Sequence, residues 1–154
     1  MRIATWNING LRARKEYLAL WLNERQPDLV GLQELKMQDS DFPYEFFEQL
    51  GYQAFVYGQK SWNGVAILTK IDGTLKTKGL LDQGDFGSRL ITAQFDDIEF
   101  TTCYCPNGKD TDHSDYQAKL NWFDSLISSF KMKQEPNRIL CGDFNIVIEA
   151  IDSW

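Results

Sequence analysis

The hydrophobic pattern at the start of the chain predicts a strand, a helix and a second strand. Residues 2–7 (RIATWN) alternate apolar and polar positions, as a half-buried strand does. Residues 14–25 carry the stripe of an amphipathic helix at Tyr17, Leu18, Trp21 and Leu22. Pro27 ends this helix, and residues 28–32 (DLVGL) have the pattern of a short buried strand. A strand, a helix and a strand within about 30 residues form a βαβ unit, whose strands lie parallel in one sheet.

The middle of the chain predicts a second helix and two pairs of strands. Ser40 or Asp41 can cap the helix, Pro43 falls in its first turn, and it ends by Gly51. The strands that follow cover 52–57, 64–70, 90–95 and 98–105. The last two read as a hairpin around the Asp96-Asp97 turn.

The final part of the chain predicts a third helix and a last buried strand. Residues 114–130 repeat apolar positions at helical spacing, at Tyr116, Leu120, Phe123, Ile127 and Phe130. Residues 138–142 (RILCG) are the strand. The order β-α-β-α-ββ-ββ-α-β indicates one α/β domain, residues 1–154, with a mixed sheet.

Composition and charge narrow the class of protein. Hydrophobic residues make up 43% and charged residues 25% of the chain, as in a soluble globular domain, and no apolar run has the length of a membrane span. The first residues lack a signal-peptide core, so we expect a cytoplasmic protein without a membrane partner. The net charge of −6 argues against nucleic acid unless basic residues, such as those at 12–15 and 76–78, lie on one face.

Four side chains with oxygen ligands follow predicted strands. Asn7 comes after the first strand, Glu34 after the second, and Asp143 and Asn145 after the last. The carboxyl ends of parallel strands line the ligand crevice of open α/β sheets, so these groups converge if the strands are parallel neighbours. Carboxylate and amide oxygens suit Mg²⁺ or Mn²⁺, and the set is typical of metal-assisted phosphate ester hydrolysis.

Simpler interpretations stay open for each of these residues alone. Asn7 begins a sequence that also suits a turn, Glu34 suits a surface acid, and Asp143 suits a local cap. His113, the one histidine, lies in a polar loop that enters the third helix, and we interpret it as a surface residue.

Five blocks of sequence carry a family resemblance. They are WNINGLRAR (6–14), PDLVGLQELK (27–36), GQKSWNGVAILTK (58–70), YCPNGK (104–109) and GDFN (142–145). In order and spacing they resemble exonuclease III, the apurinic/apyrimidinic endonuclease type of the endonuclease/exonuclease/phosphatase superfamily. The Leu-Gln-Glu-x-Lys, Gly-Val-Ala and Tyr-x-Pro-Asn-Gly elements point to this DNA-repair branch over the lipid-phosphatase and sphingomyelinase branches.

The resemblance implies a fold. Members form a four-layer α/β sandwich of the DNase I-like superfamily, and this chain would supply its N-terminal part, a mixed sheet plus helices. The later part of members carries a second acid and the Asp-His pair of a Ser-Asp-His motif, which His113 does not match. We therefore expect a truncated domain whose apolar sheet face is left uncovered, and a possible homodimer through that face.

The resemblance also implies roles for residues. Glu34 would bind the metal with Asn7 beside it, and Asp143 would activate water or protonate the leaving group. Asn145 would hold a phosphate oxygen, and Tyr104 would reach the phosphate or leaving oxygen. The residues expected to contact DNA phosphate are Arg89, Arg12, Arg14 and Lys60.

The implied activity is that of a metal-dependent DNA-repair nuclease. It would use Mg²⁺ or Mn²⁺ to cleave double-stranded DNA 5′ to an abasic site, and would remove nucleotides from 3′ ends. Two alternatives remain: an inactive fragment that serves as an interaction or DNA-binding remnant, and a phosphatase of the superfamily that acts on a small substrate.

Overall fold

The computed structural model describes residues 1–81, 83–131 and 137–149. Across these ranges the chain forms eight strands and three α-helices. In chain order they are β1 Ile3–Asn7, α1 Leu11–Arg25, β2 Leu29–Gln33, α2 Tyr44–Gln49, β3 Gln53–Tyr57, β4 Val65–Thr69, β5 Thr74–Lys78, β6 Leu90–Phe95, β7 Ile98–Tyr104, α3 Ser114–Lys131 and β8 Arg138–Asp143. None of the described helices is both long and apolar enough to cross a bilayer.

The strands form two mixed sheets that pack face to face. The first has the order β1-β2-β4-β3 and the second β5-β6-β7-β8. Only the pairs β1/β2 and β7/β8 are parallel; the other neighbours are antiparallel. Apolar side chains fill the space between the sheets, with Leu29, Val65, Ile67, Ile91, Ala93, Phe95 and Phe100 all fully buried.

Helices cover the outer face of each sheet. Leu18 and Leu22 of α1 and Phe47 of α2 pack against the first sheet. Trp122 and Leu126 of α3 pack against the second sheet. The resulting order of helix, sheet, sheet and helix confirms the four-layer α/β sandwich, with strands of two sheets where the sequence indicated one.

The start of α2 differs from the prediction. Ser40 and Asp41 belong to a separate 3₁₀ turn, Asp39–Asp41, and neither side chain caps the helix. Pro43 sits at the N-cap position instead of in the first turn. The proline ring disfavours a helical residue before it, and Phe42 is accordingly extended, with φ −70° and ψ 131°. The helix therefore begins only at Tyr44.

Strand β5 was not predicted from the sequence. All five residues, TLKTK, are exposed, so the segment has no alternation of buried and exposed positions to reveal it. It is an edge strand, held by antiparallel pairing with β6.

The expectation that one apolar sheet face is left uncovered is wrong, because both faces of each sheet are packed against another layer. The chain contains strands of both sheets, so each inner face is covered by the other sheet. Strands β2 and β4 are consequently buried at every position. The apolar side chains that remain exposed include Leu20 of α1, Leu75 of β5 and Ile127 of α3.

Candidate active site

Asn7 joins the two sheets at the candidate site. It is the last residue of β1, and its amide nitrogen Nδ2 donates to Glu34 Oε1 at 2.9 Å and to Asp143 Oδ2 at 2.7 Å. Glu34 follows β2 in the first sheet, and Asp143 ends β8 in the second. The predicted convergence of these residues is confirmed. Asn7 and Glu34 follow parallel neighbours in the first sheet, as predicted, whereas Asp143 comes from the second sheet, so the site lies across the sandwich.

The backbone turns sharply after each strand. Glu34 and Asn145 have φ values of 54° and 50°, in the left-handed region that few non-glycine residues adopt. The Asn145 N–H donates to Asp143 Oδ1 at 2.9 Å, and its side-chain amide donates to the Cys105 carbonyl at 2.7 Å. Such turns aim the side chains outward from the strand ends, and the hydrogen bonds fix the Asn145 amide beside Asp143.

Glu34 carries a stabilised negative charge. Burial opposes its ionisation, but hydrogen bonds from Asn7, Lys36 and Tyr104 outweigh this cost and lower the pKa of the carboxyl. The Lys36 Nζ lies 2.9 Å from Glu34 Oε2 and 2.5 Å from Asn9 Oδ1. The carboxylate is therefore ionised at neutral pH and is paired with an ammonium group.

Tyr104 and Arg89 form a supporting pair on the second sheet. Burial and the negative charge of Glu34 raise the pKa of Tyr104 to about 12, so its hydroxyl stays protonated at neutral pH. The Arg89 guanidinium lies 5.0 Å from the Tyr104 ring centroid and donates to the carbonyls of Phe86 at 2.9 Å and Tyr104 at 3.2 Å. Burial lowers the pKa of Arg89. Two of the Arg89 N–H groups are therefore used by backbone carbonyls, one before β6 and one at the end of β7. The contact of Arg89 with DNA phosphate stays a prediction.

The donor groups fit a hard cation. In the ranges that the structure describes, no three His, Cys, Asp or Glu side chains come together as a metal cluster. The oxygen donors are the carboxylates of Glu34 and Asp143 and the Asn7 amide oxygen, which accepts the Asn9 N–H at 3.0 Å. Mg²⁺ keeps several waters and commonly binds through one or two carboxylates, so this small set suits it.

The remaining predicted DNA contacts are exposed. The Arg12 guanidinium lies 3.9 Å from Asp41, and its side chain is 83% exposed. Arg14 donates to the Asn9 carbonyl and so borders the site directly. Lys60 is exposed in the loop after β3.

The interpretation of His113 as a surface residue is consistent with the structure. Its ring nitrogen Nδ1 lies 3.4 Å from Asp115 Oδ1 at the start of α3, and its side chain is 43% exposed.

Sequence reasoning missed Gln33, which lies beneath the site. Its amide nitrogen donates to Thr5 Oγ1 at 2.9 Å, to the Gly31 carbonyl at 3.0 Å and to Thr102 Oγ1 at 2.7 Å. The sheets can come this close because Gly31 has no side chain. A Cβ at this position would lie only 2.5 Å from Thr102 Oγ1. Gln33 therefore ties the first sheet to the second one residue before Glu34. Its signal in the sequence was a polar residue at the end of a strand that is otherwise apolar.

Replacing Gln33 by leucine should cost roughly 1–3 kcal/mol of unfolding free energy, because the buried Thr102 hydroxyl loses its donor. Urea unfolding followed by circular dichroism measures this cost. The control is Gln53→Leu, the same change at an exposed position of β3. Equal effects of the two substitutions would contradict a structural role for the Gln33 amide.

Known proteins of similar sequence and structure are described as nucleases and as a 3′ phosphatase. The exodeoxyribonuclease III of Haemophilus influenzae is 35% identical over 160 residues, an alignment that covers 99% of this chain and 60% of the relative. An AP endonuclease from Archaeoglobus fulgidus has a TM-score of 0.92 at 34% identity, with 99% of this chain and 60% of the other covered. A structure of the 3′ phosphatase NExo from Neisseria, bound to a product DNA hairpin, also has a TM-score of 0.92, at 31% identity, and covers 99% of this chain and 60% of that one.

These similarities confirm the resemblance to exonuclease III and the DNase I-like fold. The chain spans about three fifths of the length of the relatives it matches. The family model described as endonuclease/exonuclease/phosphatase matches residues 4–154, which is nearly the whole chain. On this evidence the protein belongs to the endonuclease/exonuclease/phosphatase family.

Proposed function

We propose that this site hydrolyses phosphodiester bonds of DNA as a metal-dependent repair nuclease of the exonuclease III type. The observation that carries the proposal is the meeting of Asn7, Glu34 and Asp143 within hydrogen-bond distance, from the ends of strands in both sheets. The names of the relatives support the same reaction class. The proposed substrates are double-stranded DNA with abasic sites, cleaved 5′ to the site, and DNA 3′ ends.

Glu34 and Asn7 would hold the cation. A bound Mg²⁺ or Mn²⁺ would polarise a phosphate oxygen and stabilise the charge that develops on it. The lowered pKa of Glu34 keeps this ligand ionised at neutral pH. Lys36 neutralises the same carboxylate in this structure, so a cation would share the carboxylate with it or take its place.

Asp143 is the residue proposed to move a proton. Its carboxylate accepts two hydrogen bonds, from Asn7 and Asn145, which fix its orientation. In hydrolysis, water attacks phosphorus and the bond to the 3′ oxygen breaks. Asp143 would take the proton of that water or return one to the departing oxygen.

Donors beside Asp143 would bind the phosphate. The Tyr104 hydroxyl keeps its proton at neutral pH, because its pKa is raised to about 12. In place of Glu34, to which it donates in this structure, it would donate to a phosphate or leaving oxygen. The Asn145 amide lies next to Asp143 and would donate to an oxygen whose charge increases in the transition state. Arg89 would add a positive charge behind Tyr104.

Basic residues around the site would offset the net charge of −6 for a DNA partner. Arg14 and Lys36 border the Asn9 loop, Arg12 is exposed at the start of α1, and Lys60 is exposed in the loop after β3. Phosphate contacts release counterions, so binding through these residues should weaken steeply with salt.

A phosphomonoesterase is the second candidate. The similar Neisseria structure is described as a 3′ phosphatase, which favours removal of phosphate from DNA 3′ ends by the same residues. A panel that compares a 3′-phosphate duplex, an abasic duplex and a small phosphate ester separates the two candidates.

We expect a polypeptide of these 154 residues to cleave a tetrahydrofuran abasic-site duplex in Mg²⁺ at least about 100-fold more slowly than the Haemophilus exodeoxyribonuclease III. The reason is that its one histidine, His113, is paired with Asp115 at the start of α3 and does not supply the His donor that the resemblance implies. Gel analysis under enzyme excess measures both rates at the same salt and Mg²⁺ concentrations.

The tetrahydrofuran analogue cannot undergo β-elimination, so every product reports hydrolysis. Cleavage that survives EDTA would refute the metal-dependent nuclease. Cleavage at the rate of the Haemophilus enzyme would show that the histidine donor is dispensable here.

A further inference from the structure

Two loops that belong to different sheets meet beside the candidate active site. The first covers residues 58–64, between β3 and β4 of the first sheet. The second joins β5 to β6 of the second sheet and ends with Arg89. Arg89 is the residue proposed to contact DNA phosphate, so its position relative to Glu34 matters for the proposed reaction.

The first loop is anchored to the segment that follows Glu34. The carbonyl of Gly64 accepts the Leu35 N–H at 3.0 Å, and the carbonyl of Asn63 accepts the Lys36 N–H at 2.9 Å. These bonds fix the loop relative to the turn that carries Glu34.

The side chain of Gln59 connects this loop to the second one. Its amide oxygen Oε1 accepts the Asn63 side-chain amide at 3.0 Å and the backbone N–H of Ser88 at 3.0 Å. A backbone N–H can only donate, so the oxygen of Gln59, and not its NH₂ group, must face Ser88. Gln59 is therefore the acceptor for one donor in each loop.

Ser88 makes two further bonds to the first loop. Its hydroxyl donates to the Gly58 carbonyl at 2.7 Å, and its carbonyl accepts the Gly64 N–H at 2.9 Å. Ser88 is buried, so water does not compete readily for these groups. The residue directly before Arg89 is thus held by the first loop through its N–H, its hydroxyl and its carbonyl.

The turn at residues 86–89 is shaped around the Gln59 amide. Gly87 has φ 74°, and a Cβ at this position would lie 2.1 Å from Gln59 Oε1. The turn closes through Arg89 Nε, which donates to the Phe86 carbonyl at 2.9 Å. The Gln59 amide therefore packs directly against the turn that orients the guanidinium.

The backbone of the first loop needs contacts of this kind. Ser61 and Asn63 have φ values of 69° and 50°, in the left-handed region that few non-glycine residues adopt. Such conformations persist where the surrounding structure fixes them. Gln59 supplies one of these contacts by accepting the Asn63 amide.

We infer that Gln59 is a positioning residue of the site, whose amide oxygen sets where the Arg89 guanidinium lies relative to Glu34. This inference rests on the proposed function, in which Arg89 contacts a phosphate near the metal ligand. Without the acceptor, the buried Ser88 N–H would lose its partner, and the turn at 86–89 would be held less firmly. Gln59 acts through Arg89 and needs no contact with the substrate.

Proton exchange of the Arg89 Nε–H group, followed by NMR of the folded chain, tests the inference without any substrate. Gln59→Met keeps the length of the side chain and removes the acceptor, so exchange should be at least about fivefold faster than in the wild-type chain. Gln59→Glu keeps an acceptor oxygen, so its exchange rate should stay within about twofold of the wild-type rate. The Arg89 signal is identified by its absence from an Arg89→Lys chain.

Gln53→Met, at an exposed position of β3, is the matched control and should exchange like the wild-type chain. Gln59 is only half-buried, so circular dichroism should show Gln59→Met folded. Unchanged exchange in Gln59→Met would overturn the inference, whether or not the chain cleaves DNA. Equally fast exchange in Gln59→Glu and Gln59→Met would also overturn it, because the acceptor would then have no part in holding Arg89.

A double-mutant cycle tests the role of Gln59 in the reaction. Gln59→Met should slow single-turnover cleavage of the tetrahydrofuran duplex at least about fivefold, and by less than about twofold in an Arg89→Met chain. Equal effects in the two backgrounds would show that Gln59 acts independently of Arg89 and would overturn the inference. If the wild-type chain does not cleave the duplex, the proposed function fails, and the exchange rates alone decide whether Gln59 positions Arg89.

Discussion

The Asp143→Asn chain is expected to cleave an abasic-site duplex at least about 100-fold more slowly than the wild-type chain. An amide cannot take a proton from water. Its NH₂ group would also face one of the two donors that Asp143 accepts, Asn7 Nδ2 or the Asn145 N–H. Both the proton transfer and the geometry that supports it are then lost. Single-turnover rates on the tetrahydrofuran duplex measure the effect.

The matched control is Asp124→Asn, the same change on the exposed side of α3. Its rate should equal that of the wild-type chain. If Asp143→Asn retained the wild-type rate while remaining folded, Asp143 would have no part in the chemistry.

Gly142→Ala is expected to destabilise the fold by roughly 3 kcal/mol or more, which is a large share of a typical domain's stability. Gly142 has φ 144°, which disfavours any side chain, and a Cβ there would lie 2.0 Å from the Cys103 carbonyl oxygen. That oxygen belongs to β7, the strand that pairs with β8. The two strands would have to separate one residue before Asp143.

Two other glycines serve as controls, because they separate the cost of a side chain at positive φ from the cost of a steric clash. Gly51 has φ 82° with nothing within 4 Å of a Cβ, so Gly51→Ala should cost only about 1 kcal/mol. Gly84 has free space and no positive φ, so Gly84→Ala should change stability by no more than about 0.5 kcal/mol. Urea unfolding of the three variants should give this order. A Gly142→Ala cost no larger than that of Gly51→Ala would contradict the close contact of β7 and β8.

Local patterns in the sequence were sufficient for most elements of the fold. β2 and β4 are apolar at most positions and fully buried, and β1 was predicted from the alternation of apolar and polar residues in 2–7, although none of its residues is fully buried. β5 was not predicted, because an edge strand that is exposed on both faces has no such pattern. The division into two sheets could not be predicted, since strand pairing depends on contacts between distant residues.

The apolar stripes of α1 and α3 were predicted correctly, but not every residue on them is buried in the core. Tyr17 and Ile127 lie on apolar stripes that suggest a core-facing side, yet they are 65% and 46% exposed. Periodicity identifies an apolar face without saying which element covers it.

Asn7, Glu34, Asp143 and Asn145 followed from their positions after strands, whereas Tyr104 and Arg89 followed from the family resemblance. What the sequence could not show is that Asn7 bonds to carboxylates from both sheets. This meeting depends on the close approach at Gly31 and on the bridge from Gln33 to Thr102. Gln33 and Lys36 were missed as parts of the site for the same reason, because their roles exist only in the folded arrangement.

The central claim is that Glu34 is the metal ligand of this site, and a Mn²⁺ titration followed by water proton relaxation tests it most directly. The wild-type chain should bind Mn²⁺ weakly, and Mg²⁺ should compete. Glu34→Gln should raise the dissociation constant at least about tenfold, because losing even a hydrogen-bonding partner of a metal ligand commonly costs that much and the ligand itself should count for more. Glu48→Gln, at an exposed position of α2, should bind like the wild-type chain. Identical Mn²⁺ affinity of the wild-type and Glu34→Gln chains would contradict the account and place the metal elsewhere.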